Sequence, residues 1–347
     1  MALSTEEQTQ MKYYAKEIGK LLRKEYLGEY STLEEGEKIL REELLNQVNP
    51  EVAQYFFCEG KELEKLTGKN KRTIVSLVGK LDLPTDKLKE LGVKHQRKLS
   101  PGVEKICLIT TASKSFPQSE KDLKELMGLS ISRNSLHRIV QRYEEGEENS
   151  YKEEVGEIAV DGGSICLKGG NCQQFKVARV NKEHHMVYFK EDELLVEKLK
   201  HLPKKPLVYL LGDGHDGVWN IFKELDCHKK EILDWYHLKE NLYKQNIGKE
   251  RLERYETQLW YGEKDKVIEG LPSDNNFRKY LEKHRELLIN YGEHQKSKLS
   301  SIGSGAVESS VKQMKTRTNI AGARWSQKGA RKILSVRSNY LNGAFYS

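Results

Sequence analysis

The chain reads as a mixed α/β protein in which a mainly helical N-terminal region precedes a domain built on a β-sheet. Three observations predict this. Apolar residues recur at helical spacing through the first 66 positions, the pattern switches to extended alternation after residue 157, and the later strands alternate with amphipathic helices. The 347 residues are 37% hydrophobic and 32% charged. With a mean hydropathy of −0.73, no uncharged stretch approaches the roughly 18–20 apolar residues of a membrane span. The opening MALSTEEQTQMKYYAKEI has no apolar core of the kind a secretory signal carries, so a cytoplasmic protein is expected. Five cysteines, an odd set without a Cys-x-x-Cys pair, argue against a disulfide framework and a zinc ribbon, and read as reduced packing thiols.

In chain order, Tyr14, Ile18, Leu21 and Leu22 mark one helix, and Leu40, Leu44, Leu45 and Val48 mark another ahead of Pro50. Residues 71–83, KRTIVSLVGKLDL, are rich in β-branched side chains and suit a strand or hairpin, with a helix as the alternative. Residues 101–150 form a separate region after the helical 1–100. Here Ser119 followed by Asp122 resembles a capping box, Leu123, Leu126 and Met127 supply an apolar face, and Gly128 a turn. A second helix from about Arg133 places Leu136, Ile139, Val140 and Tyr143 on one side and Arg133, Asn134, His137 and Arg138 on the other. This is a helix-turn-helix pattern with a face suited to a DNA groove, although an ordinary αα-hairpin with a solvated face fits equally well. The acidic, glycine-containing run 143–157 reads as an exposed linker.

From residue 151 to 347 the expected order is three strands joined by short turns, a helix, the apolar strand PLVYLLGD, a helix, and the strand EILDW. That β-β-β-α-β-α-β order matches a ribonuclease-H-like mixed sheet, with a helical insertion at about 240–299. In such a sheet the first strand adjoins the fourth, which brings together Asp161, ending IAVD, and Asp213, following PLVYLLG. A carboxylate set against a buried strand pays a desolvation penalty unless it meets cations or donors. Magnesium, which prefers oxygen ligands, is the expected partner, with manganese as an alternative. Either aspartate alone is also a common turn former, His215 and Asp216 suit a helix cap, and Asp234 with His237 competes for the same role.

Charge locates a third acid. The net charge is +7, yet residues 296–347 carry ten basic residues against one acid, Glu308, while the rest of the chain is slightly acidic. Glu308 near the start of a helix completes a three-carboxylate set, and Lys312, Lys315, Arg317 and Arg324 beyond it are candidates to hold phosphates. GDGHDG and GSGAVES fit no nucleotide-loop spacing.

The blocks LGDGHDGVWNIFKE, EILDWYHLKENLYK, IGSGAVESSVKQMKTR and WSQKGARKIL, together with SPGVEK, SLHRIVQR and AVDGG, resemble ISKra-type bacterial insertion-sequence transposases over nearly the whole chain. The resemblance implies a DDE transposase whose triad falls on Asp161, Asp213 and Glu308. It implies magnesium-dependent cleavage of the element's terminal repeats and transfer of the freed 3′ hydroxyl into target DNA. Action as a homo-oligomer on DNA, and hence association with the nucleoid, would follow. A transposase-derived DNA-binding protein without chemistry, or a nuclease of the same fold without strand transfer, are the alternatives.

Overall fold

The computed structural model describes every residue except 1, 65, 68, 69, 145–150 and 347. The chain is 54% helix and 17% strand, with a mixed sheet. It divides into two compact units, residues 1–110 with 116–136, and residues 111–115 with 137–347.

The first unit contains helices α1 (Thr5–Glu25), α2 (Leu33–Glu43), α3 (Asn49–Phe57), α4 (Gly60–Glu64), α5 (Thr85–Glu90), most of α6 (Pro101–Ser113), α7 (Phe116–Met127) and the start of α8 (Arg133–Arg142). Residues 71–84 settle as an antiparallel hairpin, β1 (Lys71–Ser76) with β2 (Gly79–Pro84). Its apolar face buries Ile74, Leu81 and Leu83 against Ala53 and Cys58 at the end of α3, and against Leu88 of α5 and Val93. Capping boxes at Ser4–Glu7 and Thr32–Glu35 start α1 and α2, neither of which buries a residue.

The expected cap at Ser119 is corrected. Helix α7 already begins at Phe116 with Pro117 in its first turn, where proline's fixed φ and missing N–H are tolerated, and Ser119 is wholly buried inside it. Gly128 does supply the stop: it adopts φ 67° and its N–H donates to the Lys124 carbonyl at 3.0 Å. In α8, Leu136, Ile139 and Val140 are buried, and Arg133, Asn134, His137 and Arg138 are exposed. Part of the linker at 143–157 lies outside the described residues.

The second unit is organised by a five-stranded sheet of β3 (Val155–Cys166), β4 (Cys172–Val180), β5 (His184–Phe189), β6 (Lys204–Gly212) and β7 (Lys229–Leu233) in the order β5-β4-β3-β6-β7. The first three strands pair antiparallel, whereas β3–β6 and β6–β7 are parallel. Between them run α9 (Asp192–His201) and α10 (Asp216–Lys223). The C-terminal halves of the parallel strands β6 and β7 are apolar and covered: Val208, Leu210, Leu211, Ile232 and Leu233 are all buried. Each such side chain contributes about 1.5–3 kcal/mol on full burial.

After β7 come α11 (Trp235–Tyr243), α12 (Lys249–Trp260), α13 (Lys264–Glu269), α14 (Asn276–Lys283) and α15 (Tyr291–Lys296), where the helical insertion is expected. The last two helices are α16 (Gly305–Thr318), which packs on β3 and β4, and α17 (Gln327–Leu341), which packs on β5 and α16.

Candidate functional site

Register alone brings the aspartates together. The last paired residues of β3 and β6 are Ala159 and Leu211, and two positions further along each strand stand Asp161 and Asp213. Gly212 pairs with Leu233 on β7, so Asp234 is level with Asp213. Asp161 within β3, and Asp213 and Asp234 each one residue past the ends of β6 and β7, thus come level at one edge of the three parallel strands. This level marks where β6 ends, while β3 continues to Cys166 against β4. Asp161 is therefore a mid-strand residue, paired with Val177, and its turn-forming role is excluded. Asp213 does form a turn: its Oδ1 accepts the His215 N–H at 2.9 Å.

The three acids differ in how far the protein satisfies them. Asp234 has no exposed surface, and it caps α11 by accepting the His237 N–H at 2.9 Å on one oxygen and the Ser304 N–H on the other. With both oxygens engaged, it ties the end of β7 to the loop that launches α16. Gly303 is needed in that loop, since a Cβ there would strike the Tyr236 ring. Asp161 receives a single backbone donor, the Gly162 N–H at 2.6 Å. Burial pushes its carboxyl above the ordinary range, the Gly162 bond opposes that, and the neighbouring charges act in both directions: Asp213 and Glu308 raise it, His237 lowers it. Asp161 thus lies within electrostatic reach of both other members of the expected set.

Glu308 sits in the first turn of α16, where the helix dipole favours a negative charge. Its Oε1 accepts from the Ser304 hydroxyl at 3.2 Å and lies 3.5 Å from His237 Nε2. Among the described residues, Asp234, His237 and Glu308 place one ligand atom each within 4.8 Å of one another, a closer cluster than Asp161, Asp213 and Glu308 form. Sequence reasoning flagged Asp234 and His237 only as competitors; the contact that joins His237 to Glu308 spans 71 positions of the chain and has no local signature. The donor chemistry separates the two sets. Asp161, Asp213 and Glu308 offer oxygens alone, as magnesium prefers, and Asp161 and Asp213 each accept one backbone N–H, whereas the closer cluster includes an imidazole and a carboxylate with both oxygens engaged by backbone N–H groups.

A cavity of about 260 Å³ opens where β6 stops, lined by Asp161, Asp213, Gly162, His215, Lys176 and Lys315 among others. His215 caps α10 with its Nδ1 on the Gly217 N–H at 3.1 Å, and Asp216 is exposed and paired with Lys283 at 2.6 Å.

The candidate phosphate contacts divide. Lys312 and Arg324 are exposed, and Lys315 is half-buried at the cavity. Arg317 is corrected: it is 1% exposed, its Nε donates to the Thr111 carbonyl at 2.6 Å, and its guanidinium lies 5.0 Å from the Trp325 ring centre. Burial, with Arg337 nearby, lowers its pKa to about 10. Arg337 is likewise buried, donating to Gln313, Ala112 and Ser113. Cys166 and Cys172 are free thiols that face each other across the β3–β4 turn, sulfurs 2.7 Å apart; Cys166 is half-buried and Cys172 exposed, so only their reading as core packing is corrected.

Among the described residues no helix is long and apolar enough to cross a membrane. No family model matches the chain, and no curated protein matches it.

Proposed function

We propose that the chain is a DDE-type transposase with a ribonuclease-H-like catalytic domain, cleaving phosphodiesters at element ends and transferring the 3′ hydroxyl to target DNA. The observation that carries this reading is the level placement of Asp161 and Asp213 on adjacent parallel strands, with Glu308 on the helix that packs on β3 and within electrostatic reach of Asp161. The β5-β4-β3-β6-β7 order, with its antiparallel and parallel halves, supports the fold assignment.

Asp161, Asp213 and Glu308 would hold magnesium, which supplies charge neutralisation at the phosphodiester and a nucleophilic water at neutral pH. The residues of the chain perform the remaining work. Asp161, caught between burial and two like charges, is poised to favour a cation over its own ionised state alone. Asp234 holds the Glu308 helix to the sheet by its bond to the Ser304 N–H. Lys315 at the cavity, with Lys312 and Arg324 on the surface, offers positive charge to a strand passing the acids. The exposed face of α8, with Arg133, Asn134, His137 and Arg138, offers a second contact to duplex DNA, its apolar face being buried.

The test uses labelled element ends and a target plasmid, with and without magnesium. Cleavage and joined product are expected from the wild type, and neither from Asp161→Asn, Asp213→Asn or Glu308→Gln, all three of which should still bind DNA. Cleavage without joining would reduce the activity to that of a nuclease; magnesium-independent binding with no cleavage would leave a DNA-binding protein.

A further inference from the structure

Lys176 stands out among the residues with no role so far. It lies on β4 opposite Gly162 and is only 7% exposed. Among the described residues its ammonium group has neither a carboxylate partner nor a hydrogen bond. Its stem is buried while the unpartnered amine opens onto a cavity, an arrangement that offers a fixed positive charge to an anion entering there.

The space around its amine is made by glycines. The Nζ lies 3.7 Å from the position a Cβ on Gly162 would take, and 3.3 Å from one on Gly217. Side chains at those two positions would narrow the space the amine reaches. Gly217 belongs to the first turn of α10, so the positive end of that helix adjoins the same amine. Lys176 lines the cavity that also holds Asp161 and Asp213, and Lys315 reaches it from α16.

We propose that Lys176, with the N-terminal turn of α10, forms a subsite for one backbone phosphate of a nucleic-acid strand, set beside the three acids. This rests on the reading of that site as one that cleaves DNA. Lys176 is a positioning residue: it fixes which phosphate stands at the acids and takes no part in bond making.

The test is made on the full chain in EDTA, so that binding is read without cleavage. The probes are inorganic phosphate, with chloride at matched ionic strength as its control, and a single-stranded 12-mer deoxyoligonucleotide. Phosphate is expected to raise the wild-type melting temperature above the chloride control, because a ligand that binds only the folded state stabilises it. Lys176→Met and Lys176→Gln are each expected to lose that rise. Each should also weaken 12-mer binding by about tenfold, the scale of one charge-assisted hydrogen bond. The slope of log affinity against log salt should fall by about 0.7, the share of one phosphate contact in a single strand. Lys176→Arg is expected to keep the slope.

Unchanged 12-mer affinity and slope in a folded Lys176→Met or Lys176→Gln protein would overturn the proposal. So would a wild type with no phosphate-specific rise, a result independent of whether the variants fold. A phosphate-specific rise lost in the variants, with 12-mer binding unaffected, would assign the subsite to free phosphate and overturn the nucleic-acid assignment. Binding through Lys176 with no magnesium-dependent cleavage would leave the subsite standing and remove the nuclease reading. Cleavage with binding indifferent to Lys176 would do the reverse.

Discussion

Asp161 and Asp234 come level at the same edge of the parallel strands, two strands apart, and the protein treats them in opposite ways. Around Asp234 everything is paired: the carboxylate is fully buried, and backbone N–H groups meet both oxygens. Around Asp161 little is: one N–H, two further acids within electrostatic reach, and a cavity in front. The contrast teaches that burial by itself does not mark a functional carboxylate. A satisfied acid serves the fold, whereas an under-satisfied acid in a cavity is available to a ligand.

The contrast is most exposed at Asp161. Asp161→Asn is expected to cut magnesium-dependent cleavage by at least about a thousandfold, equivalent to about 4 kcal/mol of transition-state stabilisation. The same change should raise the melting temperature near pH 7. Since the folded-state pKa of Asp161 is raised, its charge penalty is absent below the ordinary aspartate range and sets in as the pH climbs through the folded value. The advantage of Asn over Asp in melting experiments should therefore shrink as the medium is acidified from neutral. Next in size, Asp234→Ala should destabilise the fold by about 2–4 kcal/mol in urea denaturation, since it strands the buried Ser304 N–H and the half-buried His237 N–H and removes a helix cap. A stability loss at Asp161 larger than at Asp234 would invert the comparison.

A smaller effect sharpens the same distinction among cations. Arg317→Met should cost about 1–3 kcal/mol of stability through its lost bond to Thr111 and its packing on Trp325, and leave the salt dependence of DNA binding unchanged. Arg138→Ala should do the opposite, lowering the salt slope by about one with no change in melting temperature. The smallest effect belongs to Asp216→Ala, which breaks an exposed pair with Lys283 and should leave no measurable change in melting temperature at physiological salt.

Much of this molecule is legible in its sequence, and the rest hides for identifiable reasons. The apolar runs before Asp161 and Asp213 announce the strands, and the sheet order follows from the spacing of strands and helices. The hairpin at 71–84 is visible in its β-branched residues, though not separable from a helix by pattern. The start of α7 is misread because a good capping pair at Ser119 competes with a proline two residues earlier that tolerates only a first turn. Arg317 and Lys176 are harder, since a charged side chain reads as surface, and only tertiary structure shows Trp325 stacked on one or two glycines clearing space for the other. The two N–H groups on Asp234 come from positions 3 and 70 residues away, and the second has no local trace.

The central claim is that Asp161, Asp213 and Glu308, rather than the closer cluster of Asp234, His237 and Glu308, hold the divalent ion. Manganese binding followed by electron paramagnetic resonance, with magnesium as competitor, tests it most directly. Saturable binding displaced by magnesium is expected in the wild type and in His237→Ala, and its loss in Asp161→Asn and in Asp213→Asn. Binding that survives both aspartate substitutions but disappears in His237→Ala would place the ion on the other set and contradict the account.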